Sequence, residues 1–288
     1  MKLTHAERVV DARSGATKGD VARYYEDVAP LLLPQLRGRP VALLRAPEGV
    51  GESTFFQKHA GKTAWPGLRE LDPALWPGHE ALLEVTTRQA LRGAVQMNTL
   101  EFHSWNARSA NLGKPDRLVL DLDPGEGVAW QAIREAAGLV RDLLLELSLR
   151  SWLKTSGGAG LHLIVPLAAR WSVDTVRSLS AAIVQRLADE HPQRLVAKSG
   201  AANRVGRIYV DWLRNGEGAT AVAAYSLRAR PGLGVAMPIG WEELPSVSGA
   251  AHWTLANARE HLAARSTAPW ADLAAHKQSL AAALQALA

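Results

Sequence analysis

The segment Arg117–Asp123 limits the possible folds more than any other stretch of this chain, because its apolar residues occupy every second position. Three leucines point to one face of the strand that this pattern predicts, and Asp121 and Asp123 point to the other. A strand with one apolar face and one acidic face belongs in a sheet that is covered on one side only. The sequence therefore predicts a sheet with one face buried by helices and one face available for function.

The elements that follow this strand define its surroundings. Hydrophobic spacing predicts a helix over residues 128–147, strands over 151–155 and 161–167, a helix over 172–190 that Ser172 caps, and a strand over 207–212. This β-α-β-β-α-β order is the split βαβ arrangement of ferredoxin-like folds, in which the first strand lies between the third and the fourth. A further short strand is possible near residues 195–198.

The rest of the chain is predicted with less regular elements. Proline and glycine interrupt the first hundred residues, which favours short helices and strands there, including a helix over Asp20–Val28 and a strand over Pro40–Arg45. Alanine-rich helices are predicted over 250–264 and 270–288. We expect an α+β fold in a single domain, residues 1–288, with an N-terminal αβ lobe (about 1–105), a palm-like catalytic sheet (about 106–250) and C-terminal helices (about 251–288).

Composition excludes several classes of function. The chain has no cysteine, so disulfides, thiolate zinc sites and cysteine nucleophiles are excluded. No apolar signal core or membrane-spanning run is present, which favours a cytoplasmic protein without a membrane partner. Lysine and arginine exceed aspartate and glutamate by 33 − 28 = 5. This excess suits a polyanionic partner, although many unrelated enzymes share it.

Three aspartates are predicted to lie together on the open face of the sheet. Asp121 and Asp123 share one strand, Asp211 lies on the strand expected beside it, and His162 lies on the neighbour at the other side. Three carboxylates repel one another unless a hard cation such as Mg²⁺ or Mn²⁺ lies between them. Two such ions activate an attacking hydroxyl and stabilise a leaving pyrophosphate. The alternative interpretation is a turn at a strand end, where aspartate accepts backbone hydrogen bonds.

A glycine-rich turn, Ser156-Gly-Gly-Ala-Gly-Leu-His162, adjoins the predicted acidic cluster. Glycines let backbone N–H groups approach an anion closely, so the turn is a candidate phosphate site in which Ser156 and His162 add donors. The alternative is a hairpin loop whose glycines only supply positive φ angles.

Two further groups of residues suit a nucleic-acid ligand. The arginines around and after the Asp211 strand have forked donors that fit phosphate groups; they are Arg204, Arg207, Arg214, Arg228 and Arg230. Adjacent Phe55 and Phe56, with Arg45 nearby, suit a stacking platform for bases. The alternative for the arginines is solvated surface charge, and the alternative for the two phenylalanines is core packing.

Several of these motifs resemble those of a known enzyme family. Asp121-Leu-Asp-Pro124, Ser156–His162 and Tyr209-Val-Asp211 resemble the three motifs of archaeo-eukaryotic primases. They are most similar to the polymerase domain of bacterial ATP-dependent DNA ligase D, an end-joining repair enzyme. Lys18-Gly-Asp20 and Glu101-Phe-His-Ser-Trp105 extend the resemblance, which covers the chain from about Lys18 to Trp270.

The resemblance implies a primase-like fold and a polymerase that adds ribonucleotides or deoxyribonucleotides to 3′ ends, with two Mn²⁺ or Mg²⁺ ions, in gap filling and end extension during non-homologous end joining. It makes the three aspartates the catalytic metal ligands. It assigns nucleotide binding to Ser156, His162, Arg228, His103, Arg204 and Arg230, and DNA binding to Lys18, Phe55, Phe56 and Arg45. Expected partners are NTP or dNTP, DNA with 5′-phosphorylated gaps or ends, the end-binding protein Ku and, if the chain is excised from a longer protein, ligase and phosphoesterase modules. The expected location is the bacterial cytoplasm, at the nucleoid.

The chain departs from the family at Ala159, where many relatives carry lysine. Either another basic residue substitutes for that cation or triphosphate affinity is lower. Two other functions use the same sheet: a nucleic-acid-binding module without chemistry, and a metal-dependent hydrolase or nuclease that activates water.

Overall fold

The computed structural model describes residues 2–61 and 65–287, and over this part of the chain it contains fourteen strands and six α-helices. The strands, in chain order, are β1 (Val9–Asp11), β2 (Ala16–Thr17), β3 (Val41–Arg45), β4 (Phe55–Gln57), β5 (Arg69–Glu70), β6 (Leu83–Glu84), β7 (Thr99–Trp105), β8 (Arg117–Pro124), β9 (Trp152–Thr155), β10 (Leu161–Pro166), β11 (Leu195–Val196), β12 (Ile208–Asp211), β13 (Thr220–Val222) and β14 (Pro238–Ile239). The helices are α1 (Lys18–Leu36), α2 (Arg88–Gln96), α3 (Trp130–Glu146), α4 (Val173–Glu190), α5 (Ala258–Ala264) and α6 (Ala281–Ala286). None of the helices in the described ranges has the length and apolar character needed to cross a membrane.

The chain divides into two compact units, each assembled from separate segments. The first unit comprises residues 1–112, 220–237 and 251–266, and the second comprises residues 113–219, 238–250 and 267–288. The predicted boundary near residue 106 lies close to the first of these divisions. The predicted C-terminal region, 251–288, is shared between the two units. The assignment of all 288 residues to one domain stays a prediction.

The second unit contains the predicted ferredoxin-like sheet. Its six strands follow the order β11-β12-β8-β10-β9-β14, so β8 lies between β12 and β10 as expected. Helices α3 and α4 contact each other and both contact β8, so they cover one face of the sheet. Ser172 caps α4 as predicted, because its Oγ accepts a hydrogen bond from the backbone N–H of Thr175 at 3.1 Å. Asp121 and Asp123 lie two positions apart on β8 and so share one face of this sheet.

The first unit is built on the four-stranded sheet β13-β7-β3-β4, with α1 and α2 packed together and against β7. Helix α1 is longer than predicted, since it passes through Pro30 and Pro34. Proline lacks the N–H that would bond to the carbonyl four residues earlier. Here the carbonyl of Glu26, which Pro30 cannot reach, accepts a hydrogen bond from Arg88 Nη1 on α2 at 2.6 Å. A contact from another helix therefore stabilises a helix that the local sequence argues against.

The prediction of two long C-terminal helices is wrong for most of their length. Only α5 and α6 are α-helical among the described residues from 250 onward; residue 288 lies outside the description. Alanine favours helix, but residues 267–280 instead run along the sheet of the second unit. Backbone hydrogen bonds join Gln278 to Pro166 and to Ala168, and Trp270 Nε1 donates to the carbonyl of Leu153 at 3.0 Å. Tertiary hydrogen bonds override helix propensity here.

Candidate metal centre and nucleotide-binding residues

The three predicted aspartates lie on one face of the sheet in the second unit. Asp121 on β8 pairs directly with Asp211 on β12 and, on its other side, with His162 on β10. Directly paired residues point to the same face, and Asp123 shares that face because it lies two positions after Asp121. Each aspartate offers one oxygen such that the three oxygens lie within 4.8 Å of one another. The sheet register thus brings together residues separated by 90 positions in the chain.

The charges in this cluster are only partly balanced. Burial raises the pKa of Asp123 to about 6, and repulsion from Asp121 and Asp211 adds to this rise against the pull of Arg204 and Arg214. Burial and the charge of Asp121 likewise raise the pKa of Asp211. Asp121 behaves differently: burial favours its neutral form, but His162 and Arg214 hold its pKa well below the usual range.

The donor set fits a hard divalent cation. Carboxylate oxygens are the ligands that Mg²⁺ and Mn²⁺ prefer, and a cation among them would remove the repulsion that raises two of the three pKa values. Asp121, Asp123 and Asp211 are the residues that would hold it. The identity and number of the ions belong to the proposal below.

Two arginines contact the carboxylates. Arg204 Nη1 lies 3.3 Å from Asp123 Oδ2, and Arg214 Nε lies 3.0 Å from Asp211 Oδ2 and 3.6 Å from Asp121 Oδ2. The segment of Arg204 packs tightly over the end of β8, where a Cβ on Gly125 would lie 1.6 Å from the Arg204 carbonyl oxygen. Only glycine fits at that position. Arg204 was assigned to the site from the sequence, whereas the role of Arg214 becomes evident only from the structure.

The glycine turn between β9 and β10 is closed by its own hydrogen bonds. Ser156 Oγ accepts from the backbone N–H groups of Gly158 at 3.1 Å and Gly160 at 3.0 Å. A Cβ on Gly160 would lie 1.7 Å from the carbonyl oxygen of Leu122, so this glycine allows the turn to pack against β8. The expectation that the turn presents these amides as an open phosphate nest needs correction, because two of them donate to Ser156. His162 Nε2 lies 3.2 Å from Asp121 Oδ1.

In the first unit, a buried carboxylate holds two of the predicted nucleotide-binding residues. Glu101 Oε2 lies 2.7 Å from His103 Nε2 and accepts from Arg228 Nε at 2.9 Å, while Oε1 accepts from the backbone N–H of Ala229 at 2.7 Å. Burial alone would raise the pKa of Glu101, but these partners lower it to about 2. Glu101 is part of the Glu101–Trp105 motif, but no role was predicted for it from the sequence. Its position two residues before His103 on one strand was the signal that the two side chains share a face.

Arg230 is exposed, and its backbone N–H donates to the carbonyl of Arg228 at 2.8 Å. Its predicted role in nucleotide binding stays a prediction.

Lys18 belongs to a cluster of three cations around the turn that follows α2. Lys18 Nζ donates to the carbonyl of Gln96 at 2.9 Å, Arg8 Nη2 donates to Asn98 Oδ1 at 2.7 Å, and Arg45 Nε donates to the carbonyl of Met97 at 2.8 Å. Arg8 also contacts the carbonyl of Pro47. These acceptors are neutral, so they do not balance the three positive charges. Burial and the neighbouring charge of Arg8 lower the pKa of Lys18.

Arg8 has no local sequence signal that links it to this cluster, since Asn98 lies 90 residues away. Sequence reasoning missed it for that reason.

The two adjacent phenylalanines of β4 are both exposed. Phe55 is 43% exposed and Phe56 is 38% exposed, which argues against the alternative that they are core residues. The guanidinium carbon of Arg45 lies 4.5 Å from the ring centroid of Phe55, and the ring of Phe56 lies 4.9 Å from that of His103 in an edge-on arrangement. Exposed rings with a cation beside them suit base stacking.

These features define a class of protein: an α+β chain whose ferredoxin-like sheet carries a three-carboxylate centre suited to metal-dependent chemistry on phosphate groups. The family model described as "LigD, primase-polymerase domain" matches residues 17–270. The chain therefore belongs to the family of LigD primase-polymerase domains.

Relatives and a solved structure agree with this assignment. The chain is 49% identical over 286 residues to the multifunctional non-homologous end joining protein LigD of Pseudomonas aeruginosa, an alignment that covers 99% of this chain and 34% of that protein. It is 35% identical over 246 residues to the LigD protein of Mycolicibacterium smegmatis, covering 85% of this chain and 32% of that protein. The chain thus spans about a third of the length of these relatives.

The structure is similar to that of the polymerase domain of Mycobacterium tuberculosis ligase D, which was solved in complex with DNA. The TM-score is 0.84 at 30% sequence identity, and the match covers 96% of this chain and 99% of that one. The predictions of the family, the LigD polymerase domain, and of the α+β fold are confirmed.

Proposed function

We propose that this chain is a nucleotidyltransferase that adds ribonucleotides or deoxyribonucleotides to the 3′ ends of DNA during gap filling and end extension, with two Mn²⁺ or Mg²⁺ ions held by Asp121, Asp123 and Asp211. One observation carries the proposal: the register of β8 and β12 brings three carboxylate oxygens within 4.8 Å of one another on one face of the sheet. Ions bound there supply activation of the attacking hydroxyl and charge neutralisation at the leaving pyrophosphate.

The residues of the second unit have distinct tasks in this proposal. His162 donates to Asp121 or to a phosphate oxygen, and its contact with Asp121 fixes the orientation of its ring. Ser156 and Arg204 bind phosphate oxygens of the incoming nucleotide, since a hydroxyl and a guanidinium are suitable donors. Arg204 now pairs with Asp123, a contact in which a divalent cation would replace it.

In the first unit, His103 and Arg228 are proposed to bind the nucleotide, and Glu101 orients both of them. Arg230 is assigned to the same task. Phe55 and Phe56, with Arg45, are proposed to stack against bases of the template strand.

A primer-extension assay with Mn²⁺ separates this proposal from the two other functions that such a sheet supports. Wild-type protein should lengthen a labelled primer; a nuclease would shorten it, and a binding module would leave it unchanged.

We expect Asp121→Ala to reduce extension by roughly 10³-fold or more, because cation binding to the transition state contributes several kcal/mol. The matched control Asp142→Ala, at an exposed position on α3, should extend normally. Normal extension by Asp121→Ala would remove the assigned role.

The three-cation cluster is proposed to bind the 5′-phosphate at a gap or broken end. Lys18 is the residue assigned to this task, and Arg8 and Arg45 add positive charge that neutral acceptors do not balance. We expect Lys18→Ala to reduce the preference for a 5′-phosphorylated over a hydroxyl end by about tenfold, because one charged hydrogen bond is lost. Gap filling should be compared on phosphorylated and hydroxyl ends. If wild-type protein uses both ends equally, this assignment is wrong.

The partners follow from the family. Relatives are multifunctional end-joining proteins three times as long as this chain, so we propose that it works with ligase and phosphoesterase modules and with Ku at bacterial DNA ends. A cytoplasmic, nucleoid-associated location is proposed on the same grounds.

A further inference from the structure

Lys154 is a buried basic residue in the same sheet row as the metal centre. It lies on β9 directly opposite His162, which pairs with Asp121, which in turn pairs with Asp211. Because directly paired residues point to the same face, Lys154 shares the face of the carboxylates. Only 2% of its surface is exposed. From β9 to β12 the row therefore contains an ammonium group, an imidazole and two carboxylates.

The ammonium of Lys154 and the guanidinium of Arg214 differ in their position relative to the three carboxylates. Arg214 Nε lies 3.0 Å from Asp211 Oδ2, so a divalent cation would compete with it for the same oxygens. Lys154 is the direct cross-strand neighbour of His162 and not of Asp121, so its strand is one further from the carboxylates. Its charge nevertheless acts on the centre, because it is among the groups that hold the pKa of Asp121 low.

Lys154 also lies beside the proposed phosphate-binding residues. Ser156 is two positions further along the chain, directly after the end of β9. His162 is the direct cross-strand neighbour of Lys154. Between Trp152 and Pro166 the sequence has no other lysine or arginine, so the turn and its two strands have a single strongly basic side chain. An anion bound at Ser156 and His162 would be attracted by a cation beside them.

We propose that Lys154 is a positioning residue for the nucleoside triphosphate, whose buried ammonium supplies, from beside His162, the positive charge that the glycine turn itself does not carry. This inference rests on the proposed function and extends it to a residue outside the set assigned to metal or nucleotide.

The proposal is tested by two binding affinities that should respond differently to the loss of Lys154. A buried cation attracts a triphosphate and repels a divalent metal ion. Replacing Lys154 by methionine, which keeps the apolar stem, should therefore weaken binding of ATP with Mg²⁺ by about tenfold. The same change should leave binding of Mn²⁺ alone as tight as in wild-type protein, or tighter. A purely structural role predicts that both affinities fall together.

The measurements are calorimetric titration with ATP and Mg²⁺, and electron paramagnetic resonance titration with Mn²⁺ alone. Lys154→Arg keeps the charge and should retain both affinities within about twofold. Lys114→Met, an exposed residue of the same unit, is the matched control for loss of one positive charge. Adding Ala159→Lys to Lys154→Met returns an ammonium to the turn and should recover part of the ATP affinity.

Unchanged ATP binding by Lys154→Met, or a parallel loss of ATP and Mn²⁺ binding, overturns the proposal. If thermal melting shows that Lys154→Met is unfolded, Lys154→Gln gives the same comparison under the same criteria. Failure of the proposed function has a different signature. Wild-type protein would then extend no primer, whatever the ATP affinity of the Lys154 variants.

Discussion

Glu101 in the first unit and Asp123 in the second are acidic residues on interior strands of their sheets, yet their pKa values shift in opposite directions. The pKa of Glu101 falls to about 2, because His103, Arg228 and a backbone N–H surround it. That of Asp123 rises to about 6, because burial and two neighbouring carboxylates outweigh the arginines. The first cluster has all the partners that its charge requires, whereas the second has an excess of negative charge.

The difference indicates the function of each cluster. A carboxylate whose partners come from the protein fixes those partners in place, as Glu101 fixes His103 and Arg228. Carboxylates that repel one another are costly for the fold unless a ligand supplies positive charge. Residues that reduce stability in the absence of a ligand are typical of functional sites. The two clusters therefore should respond oppositely when one carboxylate is made neutral.

The largest effect on stability is expected at Glu101. Glu101→Gln removes the negative charge and leaves the buried side of Arg228 and His103 without its counter-charge, so the free energy of unfolding should fall by about 2–3 kcal/mol. Because the folded pKa is depressed, this contribution is present above the unfolded value near 4.5 and is lost as pH falls towards 2. Urea unfolding at pH 7 measures the change. Glu52→Gln, an exposed control in the same unit, should change little. Equal stability of Glu101→Gln and wild type would show that Glu101 does not stabilise its partners.

A smaller effect of opposite sign is expected at Asp123. Asp123→Asn removes one of three repelling charges, so the metal-free protein should melt about 2–4 °C higher than wild type. Mn²⁺ should then stabilise wild-type protein but not this variant. Asp20→Asn is the matched control, since it breaks the capping box at the start of α1 and should lower the melting temperature. A lower melting temperature for Asp123→Asn in EDTA would mean that the carboxylates are not under strain.

The smallest effect is the pH dependence of metal binding. Asp123 has a raised pKa of about 6, so it takes up a proton as pH falls through that value, and the proton competes with the cation. Mn²⁺ affinity should therefore fall by about fourfold between pH 7 and pH 5.5. Titration with Mn²⁺ at several pH values measures this. An affinity that is flat or rises towards low pH contradicts the assigned charge state.

The metal centre could be predicted from the sequence because its geometry follows from local periodicity and one topology rule. Alternation places Asp121 and Asp123 on one face, and the β-α-β-β-α-β order makes the Asp211 strand and the His162 strand neighbours of β8. Sheet register then completes the site. Lys154 could not be assigned from the sequence, because only the pairing of β9 with β10 makes it a neighbour of His162.

The features that escaped prediction depend on contacts between distant segments. Arg228 reaches Glu101 across 127 positions of the chain, and Arg88 satisfies the carbonyl that Pro30 leaves unbonded from 62 positions away. Neither contact has a local pattern. At the C-terminus, a local pattern gave a wrong prediction. Alanine-rich composition favoured a helix, but backbone hydrogen bonds of Gln278 hold the chain against β10.

Anomalous X-ray diffraction from crystals soaked with Mn²⁺ and a nucleoside triphosphate tests the metal centre most directly. Manganese peaks should appear between the carboxylates of Asp121, Asp123 and Asp211, with Arg204 and Arg214 displaced from the oxygens that they now contact. Manganese bound elsewhere, or bound while Asp211 turns away from the other two carboxylates, would contradict the account.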